Sequence, residues 1–294
     1  MSEITITIED VLRELPEYLR KLKAATLETG YPELDHVGDE KAGVLIKGEL
    51  TVLSGMSCMG KSILALNIAS HLAYRRGKNV FLFCPEMGEH TSVARLASSM
   101  TGIPLRSILD GTATSQAVKD VLKQKKGIFL LNERVRTVGE IIEQVRELPQ
   151  EQKPELVVVD AFISLFPEYV QTETDMVNRL KQAAKDLNVA VLLVAHLESS
   201  GAYERKDQRP DLDDLRVRCS ALVTAPDTIL FVHRMAAVES DLKKRPFSPC
   251  HEAEVSVKKH RHGGTGTVVK LWFNGEVARF ENPKPNASEQ DAQK

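Results

Sequence analysis

The chain has 294 residues, 42% of them hydrophobic and 27% charged, with 39 Lys and Arg against 41 Asp and Glu and a net charge of −2. This is the composition of an ordinary globular protein, long enough for one large α/β domain or two small ones. The near-balance of charge excludes a globally basic surface, so any nucleic-acid site must be a local channel. No run approaches the roughly 18 apolar residues of a membrane-spanning helix. The acidic start "MSEITITIEDVLREL" lacks the order of a secretory signal. Cys58, Cys84, Cys219 and Cys250 lie far apart in the sequence and match no metal spacing. Together these features predict a cytoplasmic protein.

Along the chain, apolar residues from Ile8 to about Lys23 recur near helical spacing, and Pro16 is predicted to kink or divide that helix. Residues 1–28 read either as a helix packed on its own domain or as an arm that docks on a neighbouring subunit. After "TGYPELD", short apolar runs alternate with helical patterns. "ELTVLSG", "NVFLFCPE", "GIFLLN", "LVVVD", "VAVLLVAHL" and "DTILFVHR" read as buried strands. "EHTSVARLASSM", "TVGEIIEQVREL" and "DMVNRLKQAAKDL" read as helices. The alternation predicts an α/β fold whose mainly parallel sheet is covered on both faces. From Glu252 the pattern changes to "EAEVSVKKHR", "GTVVKLWFN" and "EVARFEN", joined by "HGGTG" and "NG", which predicts a C-terminal antiparallel extension. The expected organisation is an arm at 1–28, one domain at 29–283 and a disordered polar tail at 284–294.

One motif explains why a strand stops at glycine and restarts as a helix. Gly55-Met-Ser-Cys-Met-Gly60-Lys61-Ser62 fits G-x-x-x-x-G-K-[ST] between a strand and a helix. Gly55 and Gly60 let the backbone N–H groups of the loop, through Ser57, Cys58 and Met59, converge on phosphate oxygens. The helix N-terminus adds its partial positive charge. Lys61 is expected to hold the outer phosphates and Ser62 a magnesium ion. Asp160, after a fully apolar strand, supplies the second carboxylate for the metal. Glu86, emerging from the strand that follows the loop's helix, is the candidate base for the attacking water. His196 ends another buried strand, either as a hydrogen-bonded structural residue or as a sensor of the terminal phosphate. In "KKHRHGG", Lys259 and Arg261 alternate onto one face of a strand, where they are a solvated turn or a pair aimed at a neighbour's triphosphate.

From "TGYPELD" through "ARFEN" the sequence resembles the RecA-like motor domain of DnaB-type replicative helicases and phage primase–helicases. The likeness rests on "TGYPELD", "GMSCMGKSILALNIA", "FCPEM", "LVVVD", "AHLESS", "RPDLDDLR", "DTILFVHR" and "VKKHRHGGTGTVVKLWFNGEVARFEN", in that order. The resemblance implies a P-loop NTPase that binds ATP and Mg2+ between subunits of a homo-oligomeric ring, usually a hexamer, with single-stranded DNA in the hole. It implies that Lys61, Ser62, Glu86, Asp160 and His196 form the ATP site, that Lys259 and Arg261 act in trans, and that Arg234 and Phe273 flank the nucleobase. It places the DNA contact near "DLRVRCS", with Arg216 and Arg218, preceded by Arg205 and Lys206. There the family's glycine is replaced by Val217, Arg218 and Cys219, so a side-chain charge stands where a backbone contact is expected.

No helical collar and no zinc-binding primase accompanies the motor in this sequence, so either a separate primase or loader supplies those functions or the chain does something narrower than a full replicative helicase. The expected activity is ATP-driven 5′-to-3′ translocation on single-stranded DNA with unwinding of forks. The alternatives are a recombination ATPase of the RecA/RadA kind and a ring-forming regulatory module whose ATP state gates assembly.

Overall fold

Runs of four to seven consecutive buried residues, such as "LVVVD" and "AVLLVA", can satisfy both faces only inside a sheet covered on each side. The computed structural model describes residues 7–37, 43–113, 116, 118–119, 123–124, 126–168, 171–197, 200–235 and 250–283. The expected tail at 284–294 lies outside them.

Helix α1 (Ile8–Ala25) starts at Thr7, whose hydroxyl accepts from the Asp10 N–H at 3.2 Å. It runs through Pro16 as one element, so the expected division does not occur. Proline removes one backbone bond. The turn after it is rich in good helix formers and held by Arg20–Glu17 and Lys21–Glu17 ion pairs at 2.7 and 3.6 Å. No α1 residue is buried.

The chain then forms β1 (Thr26–Leu27), which pairs antiparallel with β2 (Leu45–Ile46), and between them α2 (Pro32–Asp35). The Asp35 carboxylate accepts from the Thr29 N–H at 2.6 Å and hydroxyl at 2.7 Å, and Tyr31 donates to the Phe280 carbonyl at 3.3 Å. "TGYPELD" is thus a folded knot that ties the start of the domain to its last strand.

Strands and helices alternate from there: β3 (Leu50–Gly55), α3 (Lys61–Ser70), β4 (Val80–Phe83), α4 (Glu89–Thr101), α5 (Leu105–Leu109), β5 (Phe129–Asn132) and α6 (Val138–Glu147). There follow β6 (Leu156–Asp160), α7 (Glu173–Leu187), β7 (Ala190–His196), three short helices, α8 (Ser200–Glu204), α9 (Leu212–Arg218) and α10 (Ala221–Thr224), then β8 (Thr228–His233). Finally come β9 (Cys250–His260), β10 (Val268–Asn274) and β11 (Arg279–Glu281). The nine-stranded sheet runs β11-β10-β9-β8-β3-β7-β6-β4-β5. Strands β8 to β5 are parallel and β9 to β11 antiparallel, as expected from the sequence.

The sheet separates two apolar layers. Leu53, Leu82, Val158 and Val194 pack with Leu64 and Ile68 of α3 and Leu96 of α4 on one face. Val52, Phe83, Val159, Leu193 and Phe231 pack with Ile141 of α6 and Met176 and Leu180 of α7 on the other. Capping boxes at Thr137/Glu140 and Thr172/Asp175 start α6 and α7. Among the described residues, no helix is long and apolar enough to cross a membrane.

Candidate nucleotide site

Strand register gathers the expected residues. Gly55, ending β3, lies opposite His196, ending β7, and Asp160, ending β6, lies opposite Val194 of β7. Phe83, ending β4, lies opposite Val159, and Glu86 follows three residues later. The loop, both carboxylates and the histidine therefore open on one edge, at the carboxyl ends of the parallel strands.

The two loop glycines are sterically required. A Cβ on Gly55 would sit 2.5 Å from the Val232 carbonyl oxygen. Gly60 has φ +93, and its Cβ would sit 2.9 Å from the Phe280 ring. Met56 and Met59 are buried and root the loop, while Ser57 and Cys58 form its exposed tip. Lys61 opens α3 and donates from Nζ to the Met56 carbonyl at 2.7 Å. It is 4% exposed, and burial lowers its pKa to about 8. Ser62 donates to Asp160 Oδ1 at 3.0 Å. Asp160 is 2% exposed, and burial raises its carboxyl to about 6.

The buried cation hydrogen-bonds to a neutral carbonyl and the buried carboxylate to a hydroxyl, so each can take a further charged partner besides the other. Phosphate oxygens at Lys61 and a divalent cation at Ser62 and Asp160 are such partners, so these residues fit a nucleotide with Mg2+. His196 Nε2 lies 3.2 Å from Glu86 Oε2, within ion-pair distance but without hydrogen-bond alignment. Burial holds the His196 pKa below its usual value. The charge of Lys61, and less so that of Arg218, adds to this, and Glu86 opposes it. Burial thus favours the neutral imidazole at His196.

Other expected site residues stand differently. Arg234 and Phe273, expected to flank a base, are each 4% exposed and lie beneath the loop. The Arg234 guanidinium sits 4.0 Å from the Phe273 ring centroid, meets His251 Nε2 at 2.9 Å and donates to the Cys58 carbonyl. Phe273 packs on Phe280 with centroids 4.8 Å apart. Arg234 and Phe273 thus pack on each other beneath the loop, with His251 beside them.

The segment 200–218 is folded around ion pairs. Arg205 pairs with buried Asp214, Arg209 holds Glu254 at 2.9 Å, and Arg218 holds Glu173 at 2.7 Å. Arg216 is exposed and lies 2.7 Å from Asp213, and Lys206 is exposed.

Lys259 and Arg261 are on the opposite edge of the sheet. His260 pairs with Thr228, which pairs with Thr51, four residues from Gly55. That separation is ~13 Å along the strand, further than an arginine side chain extends from its backbone. Lys259 donates to the carbonyls of Val223 and Thr224 at 2.9 and 3.0 Å, and Arg261 Nε lies 3.2 Å from Asp227 Oδ1. Asp227 is fully buried and was not singled out in the sequence. The one signal was a carboxylate just before a strand whose interior, Ile229 to Val232, is apolar.

The sequence pattern of the DnaB-like helicase C terminal domain matches residues 26–282. The replicative DNA helicase DnaB of Leifsonia xyli subsp. xyli is 30% identical over 268 residues, 87% of this chain and 56% of that protein. This chain thus spans a little over half the length of that curated relative. In shape it matches a solved DnaB-like replicative helicase, studied for its interactions with primase, with TM-score 0.77 at 23% identity over 96% of this chain and 68% of that one. A second solved structure, an isolated ATPase domain, superposes with TM-score 0.76, also at 23% identity, over 95% of this chain and all of the other. With its whole domain matched and its phosphate loop at the expected strand end, the chain belongs to the DnaB-like helicase C terminal domain family.

Proposed function

We propose that the chain is the ATP-hydrolysing motor of a replicative-type DNA helicase that works as a homo-oligomeric ring, on the hexameric plan that its resemblance implies. The observation that carries this reading is a separation. Lys61, Ser62, Glu86, Asp160 and His196 converge on one edge of the sheet, and Arg261 stands exposed on the other. A site completed by a second copy is what a ring supplies.

In this reading Lys61 and the loop N–H groups bind the phosphates of ATP, and Ser62 and Asp160 hold Mg2+. The ion supplies Lewis-acid neutralisation of phosphate charge. Glu86 accepts the proton of the attacking water, and neutral His196 orients Glu86 and registers the terminal phosphate. Arg261 of a neighbouring copy meets the charge that develops on the transferred phosphoryl group. Residues 1–28 are the arm that docks on the adjacent copy and 29–283 the motor. Arg216 and Lys206 meet the phosphates of single-stranded DNA, while Arg205 and Arg218 hold that segment in shape. A separate primase or loader completes the machine, in the cytoplasm.

The test is ATP-dependent unwinding of a forked duplex by the purified chain, beside Lys61→Ala. Unwinding and hydrolysis that the variant loses, with its circular dichroism unchanged, are the expected result. Equal turnover by the variant removes the reading.

A further inference from the structure

Asp227 sits at the edge of the sheet away from the phosphate loop, immediately before β8, and is fully buried. Its N–H donates to the Leu50 carbonyl at 2.9 Å, and its Oδ2 accepts from the Leu50 N–H at 3.0 Å and from Lys181 of α7. Its position is therefore fixed by β3 and α7 together. The remaining oxygen, Oδ1, lies 3.2 Å from Arg261 Nε as an ion pair without hydrogen-bond alignment, and the Asp227 carbonyl accepts from the Arg261 N–H at 3.0 Å. On the other side of Arg261, His262 Nε2 lies 2.5 Å from Glu49 Oε1. The turn is thus pinned on both flanks of an arginine whose side chain is 57% exposed. Lys259, two residues earlier, is occupied by the last carbonyls of α10.

We propose that Asp227 is a positioning residue that sets the Arg261 guanidinium for use on the nucleotide of a second copy. The inference rests on the functional reading above and deepens it. A guanidinium is a rigid plane with five donors, and the edge by which it is held decides where the rest point. Drawn by its Nε edge toward a carboxylate that is itself fixed, Arg261 leaves its two terminal nitrogens for another partner. Among the described residues those nitrogens take no hydrogen bond. Two such donors on one guanidinium suit bidentate contact with a phosphate. The alternative, that Asp227 only ties α7 to the sheet edge, is met by Lys181 and the Leu50 N–H alone and leaves its contact with an exposed arginine without a purpose.

The test uses the full chain with single-stranded DNA and ATP. Asp227→Asn is expected to lower kcat at least tenfold with KM for ATP within about threefold, at unchanged circular dichroism and oligomeric mass. Lys181→Met, which removes one of the contacts that fix Asp227, is expected to lower kcat less than Asp227→Asn does. Mixing Asp227→Asn with Glu86→Gln should recover activity above the sum of the two. Mixed rings contain interfaces where an intact Glu86 faces a correctly held Arg261, and a merely structural defect is not rescued this way. Wild-type kcat in Asp227→Asn, an equal loss in Lys181→Met, or no recovery on mixing overturns the proposal. If Asp227→Asn does not fold, Arg261→Lys, which keeps the charge and loses the Nε contact, takes its place, and wild-type turnover there overturns it equally. A wild-type chain without ATPase activity, or Arg261→Ala with full activity, instead removes the functional reading on which the proposal stands.

Discussion

At the scale of single residues, the candidate nucleotide site is a set of groups held away from their preferred environments. Lys61 and Asp160 are ionisable groups buried with neutral hydrogen-bond partners, so their burial carries a cost that binding a nucleotide and cation would offset. Cys58 and Cys84 make the contrast in exposure measurable. Cys58 is at the exposed loop tip, while Cys84 is buried and its thiol pushed up to about 11. At pH 8 about a thousandth of Cys84 is thiolate, and its burial slows attack further. Iodoacetamide should therefore alkylate Cys58 first and leave Cys84 unmodified in the folded chain, as read by peptide mass mapping. ATP with Mg2+ should slow the labelling of Cys58, and no protection by nucleotide would argue that the loop does not wrap phosphate. Of these residues, the loop and Asp160 were legible because their spacing and strand context are local. The burial of Arg234 and Phe273 was not, because it depends on Phe280 and His251, brought in from other strands by pairing.

At the scale of elements, the helix α1 buries none of its residues in its own domain. Ile8, Val11, Leu12, Leu15, Tyr18 and Leu19 are all exposed and recur at helical spacing along it. Changing Leu12 and Leu19 together to Asp should leave the stability of the domain within about 0.5 kcal/mol in urea melts, since neither side chain is buried. The same change should lower the assembled mass measured by light scattering. Unchanged mass would detach the arm from assembly. The strands were readable because their apolar runs are uninterrupted, and the switch to antiparallel pairing was readable from its hairpin turns. What escaped was set by compensation between neighbours. Pro16 is carried by the salt-bridged turn that follows it, and the segment 200–218 is shaped by carboxylates at Glu173 and Glu254, far away in sequence. The π-helical turn His71–Arg75 that extends α3 has no periodicity of its own to announce it.

At the scale of the whole molecule, one sheet carries the loop at one edge and the exposed arginine at the other. Strand length keeps them apart in a way that no side-chain motion closes. If the arginine serves a second copy, specific activity should not be constant on dilution. ATP turnover per chain, measured across a range of protein concentrations, should rise steeply and then level where light scattering reports full assembly. A rate per chain independent of concentration would mean that each copy is sufficient alone. The span of one strand then becomes a safeguard against waste. On that reading a solitary copy would hold its fuel without burning it, and meeting a second copy would be the ignition.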